Sequence, residues 1–169
     1  MGEQAMKDVI VYHGSTEIVD CPICKLGRRN LDFGQGFYVT SLRAQAVSWA
    51  TQVADRKGLV PVLNRYRLNR EAILLEGRCK IFKAYDKEWL KFIVASRRGE
   101  AVASDYDYIE GGVANDRVVD TVNLYMAGLM DEEIALRRLS EHQPNNQMCI
   151  LSQELIDKYL VFDGTEPME

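Results

Sequence analysis

The chain has 169 residues, 47% of them hydrophobic and 27% charged, with a formal net charge of −4. That length reads as a single domain over residues 1–169, large enough to bury a core without disulfide or metal staples, and the mixture is that of an ordinary globular protein. The acidic balance argues against a broad polyanion-binding surface though not against a local basic patch. No run is long enough to span a bilayer, and Met1–Lys7 lacks the basic-then-apolar layout of a signal peptide, so the expectation is a cytoplasmic protein with no membrane partner.

Along the chain, Val9–His13 reads as a strand and Ser15–Asn30 as a loop punctuated by Asp20, Pro22 and Gly27. Gly36–Thr40 is a second strand. Ser41 reads as the N-cap of a helix running to Lys57, with Ala44, Val47, Ala50 and Ala54 as its apolar stripe and Gly58 closing it. Leu59–Leu68 is a strand with alternation at Val60, Val62 and Tyr66, and Ala72–Leu75 a further short strand. Asp86 opens a helix to Arg98 whose inward stripe is Trp89, Leu90, Phe92, Ile93 and Val94, stopped by Gly99. Tyr106–Glu110 is a strand, Asp116–Met126 a helix, and Asp131 caps a helix to Glu141. Gln147–Leu151, Glu154–Tyr159 and Leu160–Phe162 follow as strand, helix and strand, and residues 1–7 and 164–169 read as flexible ends. Short strands joined by loops favour an α+β fold over a doubly wound sheet, and no Gly-x-Gly-x-x-Gly joins a strand to a helix.

Two segments carry chemistry. His13-Gly14-Ser15 ends the first strand with a polar ring and a backbone bare enough for a ligand to approach. Phe33-Gly34-Gln35-Gly36-Phe37-Tyr38-Val39-Thr40 is a glycine turn feeding a strand that carries an aromatic hydroxyl. A His, a bare backbone and a Tyr on neighbouring strands suit a ribose hydroxyl, a carboxamide and a flat ring, the parts of a nicotinamide dinucleotide. A lone His at a strand end equally fits a structural role. A second candidate, for an acceptor or auxiliary site, is the strand–helix junction with Glu110, Asn115, Asp116 and Arg117, although Asp116 equally reads as a helix cap and Arg117 as its ion-pair partner. Cys21-Pro22-Ile23-Cys24 has the spacing of half a zinc site, but no second pair accompanies it, and it reads as two reduced thiols with no metal.

Tyr12-His13-Gly14-Ser15, the run Gly27 to Tyr38, the Ala-Asn-Asp-Arg loop and Pro144-Asn145-Asn146-Gln147 together resemble the ADP-ribosyltransferase superfamily, and within it a small bacterial family of unassigned function. The likeness spans about residue 10 to residue 162. It implies two packed antiparallel sheets with flanking helices and an NAD cleft. By the same resemblance His13 bonds the adenosine ribose, Gly14 grips the nicotinamide carboxamide through its N–H and C=O, and Ser15 adds a polar contact. Tyr38 stacks on the nicotinamide, Trp49 supplies a second aromatic wall, and Arg28 and Arg29 meet the pyrophosphate. Trp49 equally reads as core and Arg28-Arg29 as a solvated pair. The third family position is usually Glu; here Gln147 stands in it, completing a catalytic set with Tyr38 and His13.

Gln can bond a ribose hydroxyl but brings no charge to an oxocarbenium-like transition state, a loss on the order of 10²–10³ in rate. Three readings stay open: another carboxylate acts (Glu110, Asp116 or Asp120), the acceptor needs no activated nucleophile, or NAD binds without turnover. The implied activity is mono-ADP-ribosyl transfer from NAD to an unknown acceptor, whether protein, small molecule or nucleic acid. A small antitoxin is an implied partner. The alternatives are a catalytically silent NAD or ADP-ribose binding module, and an interaction protein whose cleft a partner fills.

Overall fold

A computed structural model describes residues 8–26, 32–114 and 118–168. Its strands are β1 (Val9–Ser15), β2 (Phe37–Val39), β3 (Val62–Leu68), β4 (Cys79–Ile81), β5 (Tyr108–Gly111), β6 (Gln147–Ile150) and β7 (Leu160–Glu166). The helices are α1 (Arg43–Lys57), α2 (Arg70–Glu76), α3 (Lys87–Arg97), α4 (Val119–Met126), α5 (Glu132–Leu139) and α6 (Gln153–Tyr159). None of the helices among the described residues is long and apolar enough to cross a membrane.

The strands form two sheets, ordered β1-β3-β7 and β2-β6-β5-β4. The fold is α+β, as expected, but the second sheet is mixed: β4 runs parallel to β5. That pairing needs a crossover, and α3 supplies it: the chain leaves β4 through α3 and re-enters beside β4 at β5. Strand alternation sends Val11, Tyr66 and Leu68 of the first sheet against Phe37, Val39, Tyr108, Met148 and Ile150 of the second, closed at the ends by Ile73 of α2 and Leu155 and Ile156 of α6. The other face of the second sheet, through Ile109 and Cys149, packs on α3, α4 and α5. Helix α1 covers the outer face of β1.

Three local expectations are corrected. Ala72–Leu75 is not a strand but lies inside α2, because the Asn69 side chain accepts the Ala72 N–H and starts a helix there. Ser41 does not cap α1; Leu42 occupies that position, and the Ser41 hydroxyl is turned to Asn146. The carboxyl end is held, not loose: β7 continues past Gly164, with Thr165 opposite Asn64 and Glu166 opposite Leu63. Glu166 is anchored by Arg43 at 2.7 Å and Arg65 at 2.8 Å. The caps Asp86 and Asp131 fall where the sequence places them.

Candidate functional site

The edges of the two sheets touch at one bridge, where the Tyr12 N–H donates to the Thr40 carbonyl at 2.8 Å and the Thr40 N–H to the Tyr12 carbonyl at 3.0 Å. In an antiparallel ladder the next such pair would be Gly14 with Tyr38. Among the described residues that pair is not made. The Tyr38 carbonyl instead lies 2.7 Å from His13 Nδ1. A carbonyl can only accept, so Nδ1 carries the proton and Nε2 keeps its lone pair. Burial holds the imidazole pKa below its usual value, against a smaller opposing pull from the Tyr38 carbonyl, and the ring is neutral at pH 7. Its centroid lies 4.4 Å from that of Phe37. The imidazole therefore takes the place of a ladder bond, and β1 and β2 part beyond Tyr12–Thr40. Alternation aims the N–H and C=O of Gly14 along the same edge as those of Tyr12, into this split.

Helix α1 is set against the split by the same glycine. A Cβ on Gly14 would stand 2.2 Å from the Ala46 carbonyl oxygen and 2.8 Å from the Ala50 nitrogen. At the start of α1, Gln45 Nε2 donates to Thr40 Oγ1 at 3.3 Å and to the Asn146 carbonyl at 3.2 Å. Trp49 follows one turn later on that face of α1 and is partly exposed.

Gln147 begins β6, opposite Gly111 of β5 and beside Thr40, the residue after β2. Two residues before Cys149, it shares the face of the sheet that carries Tyr38. It is only 5% exposed, and its Oε1 accepts no hydrogen bond among the described residues. Its neighbours clamp it: Asn145 Oδ1 accepts the Val113 N–H at 2.8 Å, and Asn146 Oδ1 accepts the Ser41 hydroxyl at 2.9 Å. The Tyr38 hydroxyl donates to the Gly34 carbonyl at 2.6 Å and accepts the Phe33 N–H at 3.0 Å, closing the glycine turn. Burial keeps that phenol well above its usual pKa, so it stays protonated.

Of the sequence candidates, His13 and Tyr38 meet at the β1–β2 split with Gly14 on its edge, while Trp49 stands on α1, the helix packed on Gly14, and Gln147 on β6, the strand beside β2. Ser15 ends β1, its hydroxyl accepting the Glu17 N–H at 3.3 Å. Glu110 is set apart: it pairs across the ladder with Met148 and so faces the inter-sheet core, away from Gln147. There Arg70 grips it with two bonds of 2.7 Å and the Tyr108 hydroxyl donates to it at 2.6 Å. Burial pushes the Glu110 carboxyl up, but Arg70 and Tyr108 more than offset this and its pKa lies below the usual range. Asp120 is exposed on α4. Arg28, Arg29, Asn115, Asp116 and Arg117 lie outside the described residues.

Several positioning residues escape a reading of the sequence. Buried Asn64 of β3 accepts the Val19 N–H at 2.9 Å and donates to the Glu17 carbonyl at 3.0 Å, fastening the chain that leaves Ser15. Its signal is a polar residue at an inward position of an alternating strand. Asp32 accepts from Arg97 and from the Ala114 N–H, tying the glycine turn to the loop after β5.

Among protein families, residues 9–162 match the one described as "Protein of unknown function (DUF3990)". The chain belongs to this family. The matched span runs from the first residue of β1 into β7, so the DUF3990 region contains the split, α1 and the head of β6 together. No curated protein and no solved structure matches the chain.

Proposed function

We propose that this DUF3990 protein binds NAD in the split between β1 and β2 and transfers ADP-ribose from it to an acceptor, releasing nicotinamide. The observation that supports this best is the buried Gln147 oxygen, which has no donor among the described residues, on the strand beside β2, whose other neighbour is the open backbone edge of Gly14. A carboxamide offers one N–H donor and one C=O acceptor side by side, the complement of a strand edge. A ribose hydroxyl offers the proton that Gln147 Oε1 lacks, and a second hydroxyl suits the lone pair on His13 Nε2. Tyr38 and Trp49 provide the aromatic walls for the flat ring.

In the reaction the bond from C1′ of the ribose to the nicotinamide nitrogen breaks, and its electron pair leaves with neutral nicotinamide. The acceptor then bonds C1′ and sheds its proton to solvent. Gln147 orients the ribose without countering its positive charge, so turnover is slow. The silent binding module is the second reading, favoured by the engagement of Glu110 with Arg70 away from the split. The test is calorimetric titration with NAD together with chromatographic measurement of nicotinamide release, on the parent and on Gln147→Glu. Transfer chemistry predicts binding by both and faster release from Gln147→Glu, by up to about 10²–10³. Binding without release from either supports the silent module, and no binding of NAD or ADP-ribose removes both readings.

A further inference from the structure

A cavity of about 430 Å³ lies between the amino end of α3 and the carboxyl end of α5, walled by Tyr85, Leu136 and the segment from His142 to Pro144. It is distinct from the split, and its volume lies within the range of small-molecule sites. Tyr85 in its wall is held in place, its hydroxyl donating to the Val113 carbonyl at 3.0 Å. We propose that this cavity binds a small organic anion with an apolar body, a reading that stands independently of NAD.

The chain is acidic overall, yet this cavity is lined by Lys83 and Lys87. Lys87 is weakly compensated, by Glu132 at 3.7 Å, and Lys83 has no ion-pair partner among the described residues. The one carboxylate in the lining, Asp86, is committed to capping the Trp89 N–H at 2.9 Å. At the opposite wall, the last carbonyls of α5 are already used: that of Leu139 by the His142 N–H at 3.1 Å and that of Arg137 by the Ser140 hydroxyl at 2.7 Å. The acidic head of a ligand thus belongs at Lys83, and its apolar body over Ala84 and Leu136. A carboxylate or phosphate on an aromatic or aliphatic body meets both demands.

Anilinonaphthalene sulfonate, titrated by fluorescence on the full chain, is a suitable probe, with uncharged phenylnaphthylamine as its neutral counterpart. The variants are Lys83→Glu and Ser140→Trp, both at exposed positions, with Lys57→Glu as a remote control of the same charge change. Thermal melting confirms that each folds. We expect one sulfonate bound per chain, affinity lowered about fivefold or more by Lys83→Glu, lost in Ser140→Trp and unchanged by Lys57→Glu. The neutral compound should bind at least fivefold more weakly. Equal sulfonate affinity in Lys83→Glu and the parent, equal binding of the neutral compound, or no sulfonate binding at all would each overturn the proposal. If Ser140→Trp fails to fold, the Lys83→Glu comparison decides alone.

Discussion

Gly14→Ala tests how tightly β1 and α1 are fitted to one another. The added methyl would stand 2.2 Å from the Ala46 carbonyl oxygen, 2.8 Å from the Ala50 nitrogen and 3.0 Å from the Ala50 Cβ. The first two are backbone atoms, so no rotamer change relieves them. To reach an ordinary contact, α1 must retreat by roughly 1 Å, and a gap of that size forfeits a quarter to a half of each dispersion contact. Ala46, Ala50 and Ala54, all buried on this face, are the residues that lose it. Overpacking of this kind costs about 1–3 kcal/mol, and backbone clashes put Gly14→Ala near the upper end, at roughly 3 kcal/mol. In a domain of this size that corresponds to a fall of about 6–12 °C in Tm. Urea unfolding measures it directly. Adding Ala50→Gly should restore little, because the Ala46 carbonyl clash remains. A loss below about 1 kcal/mol, or full rescue by Ala50→Gly, would refute the packing argument.

Tyr38→Phe removes a hydroxyl that bridges the Gly34 carbonyl and the amide of fully buried Phe33, so it should cost roughly 1–3 kcal/mol in urea unfolding while leaving NAD affinity nearly intact. Glu110→Ala leaves the buried Tyr108 hydroxyl unpaired and strands the partly exposed Arg70; it should cost roughly 2–3 kcal/mol, less than a fully buried pair, with NAD affinity by calorimetry unchanged because Glu110 faces away from Gln147. Burial depresses the His13 pKa, so below about 6.5 the unfolded chain binds a proton that the folded chain refuses. Stability should therefore fall as the pH drops from 7 to 5, and His13→Asn should remove that component of the slope in urea midpoints taken across the range.

What could be read from the sequence was local. Asp86 and Asp131 announce α3 and α5 because an N-cap satisfies amides only three residues away. Gly58 closes α1 in the left-handed conformation that its position suggests. The run Ile73-Leu74-Leu75 misleads for the converse reason: a short apolar run fits a strand or a helix, and only Ile73 is buried, a single inward residue in a helix of two turns. The end of β7 looks unstructured because what holds it, Arg43 and Arg65, lies about a hundred positions earlier in the chain. The site divides in the same way. His13, Gly14, Tyr38 and Gln147 stand out by residue type, but the split at His13, Gly14 and Tyr38 depends on the register of two sheet edges and on one imidazole displacing one ladder bond. The isolation of Glu110 from Gln147 depends on which face of β5 each neighbour meets, and a one-residue change of register would reverse it.

The central claim is that Gln147 is kept at the expense of the fold in order to meet a ligand. Its Oε1 is buried and has no donor among the described residues, a state that costs roughly 1–3 kcal/mol. Replacing it by leucine, of similar size and without polar atoms, separates folding from binding in one experiment: thermal melting of the parent and of Gln147→Leu, each with and without NAD. Gln147→Leu should melt higher than the parent in buffer alone, and NAD should raise the Tm of the parent but move that of Gln147→Leu far less. A parent whose Tm is unmoved by saturating NAD, or a Gln147→Leu variant stabilised by NAD as much as the parent, would contradict it.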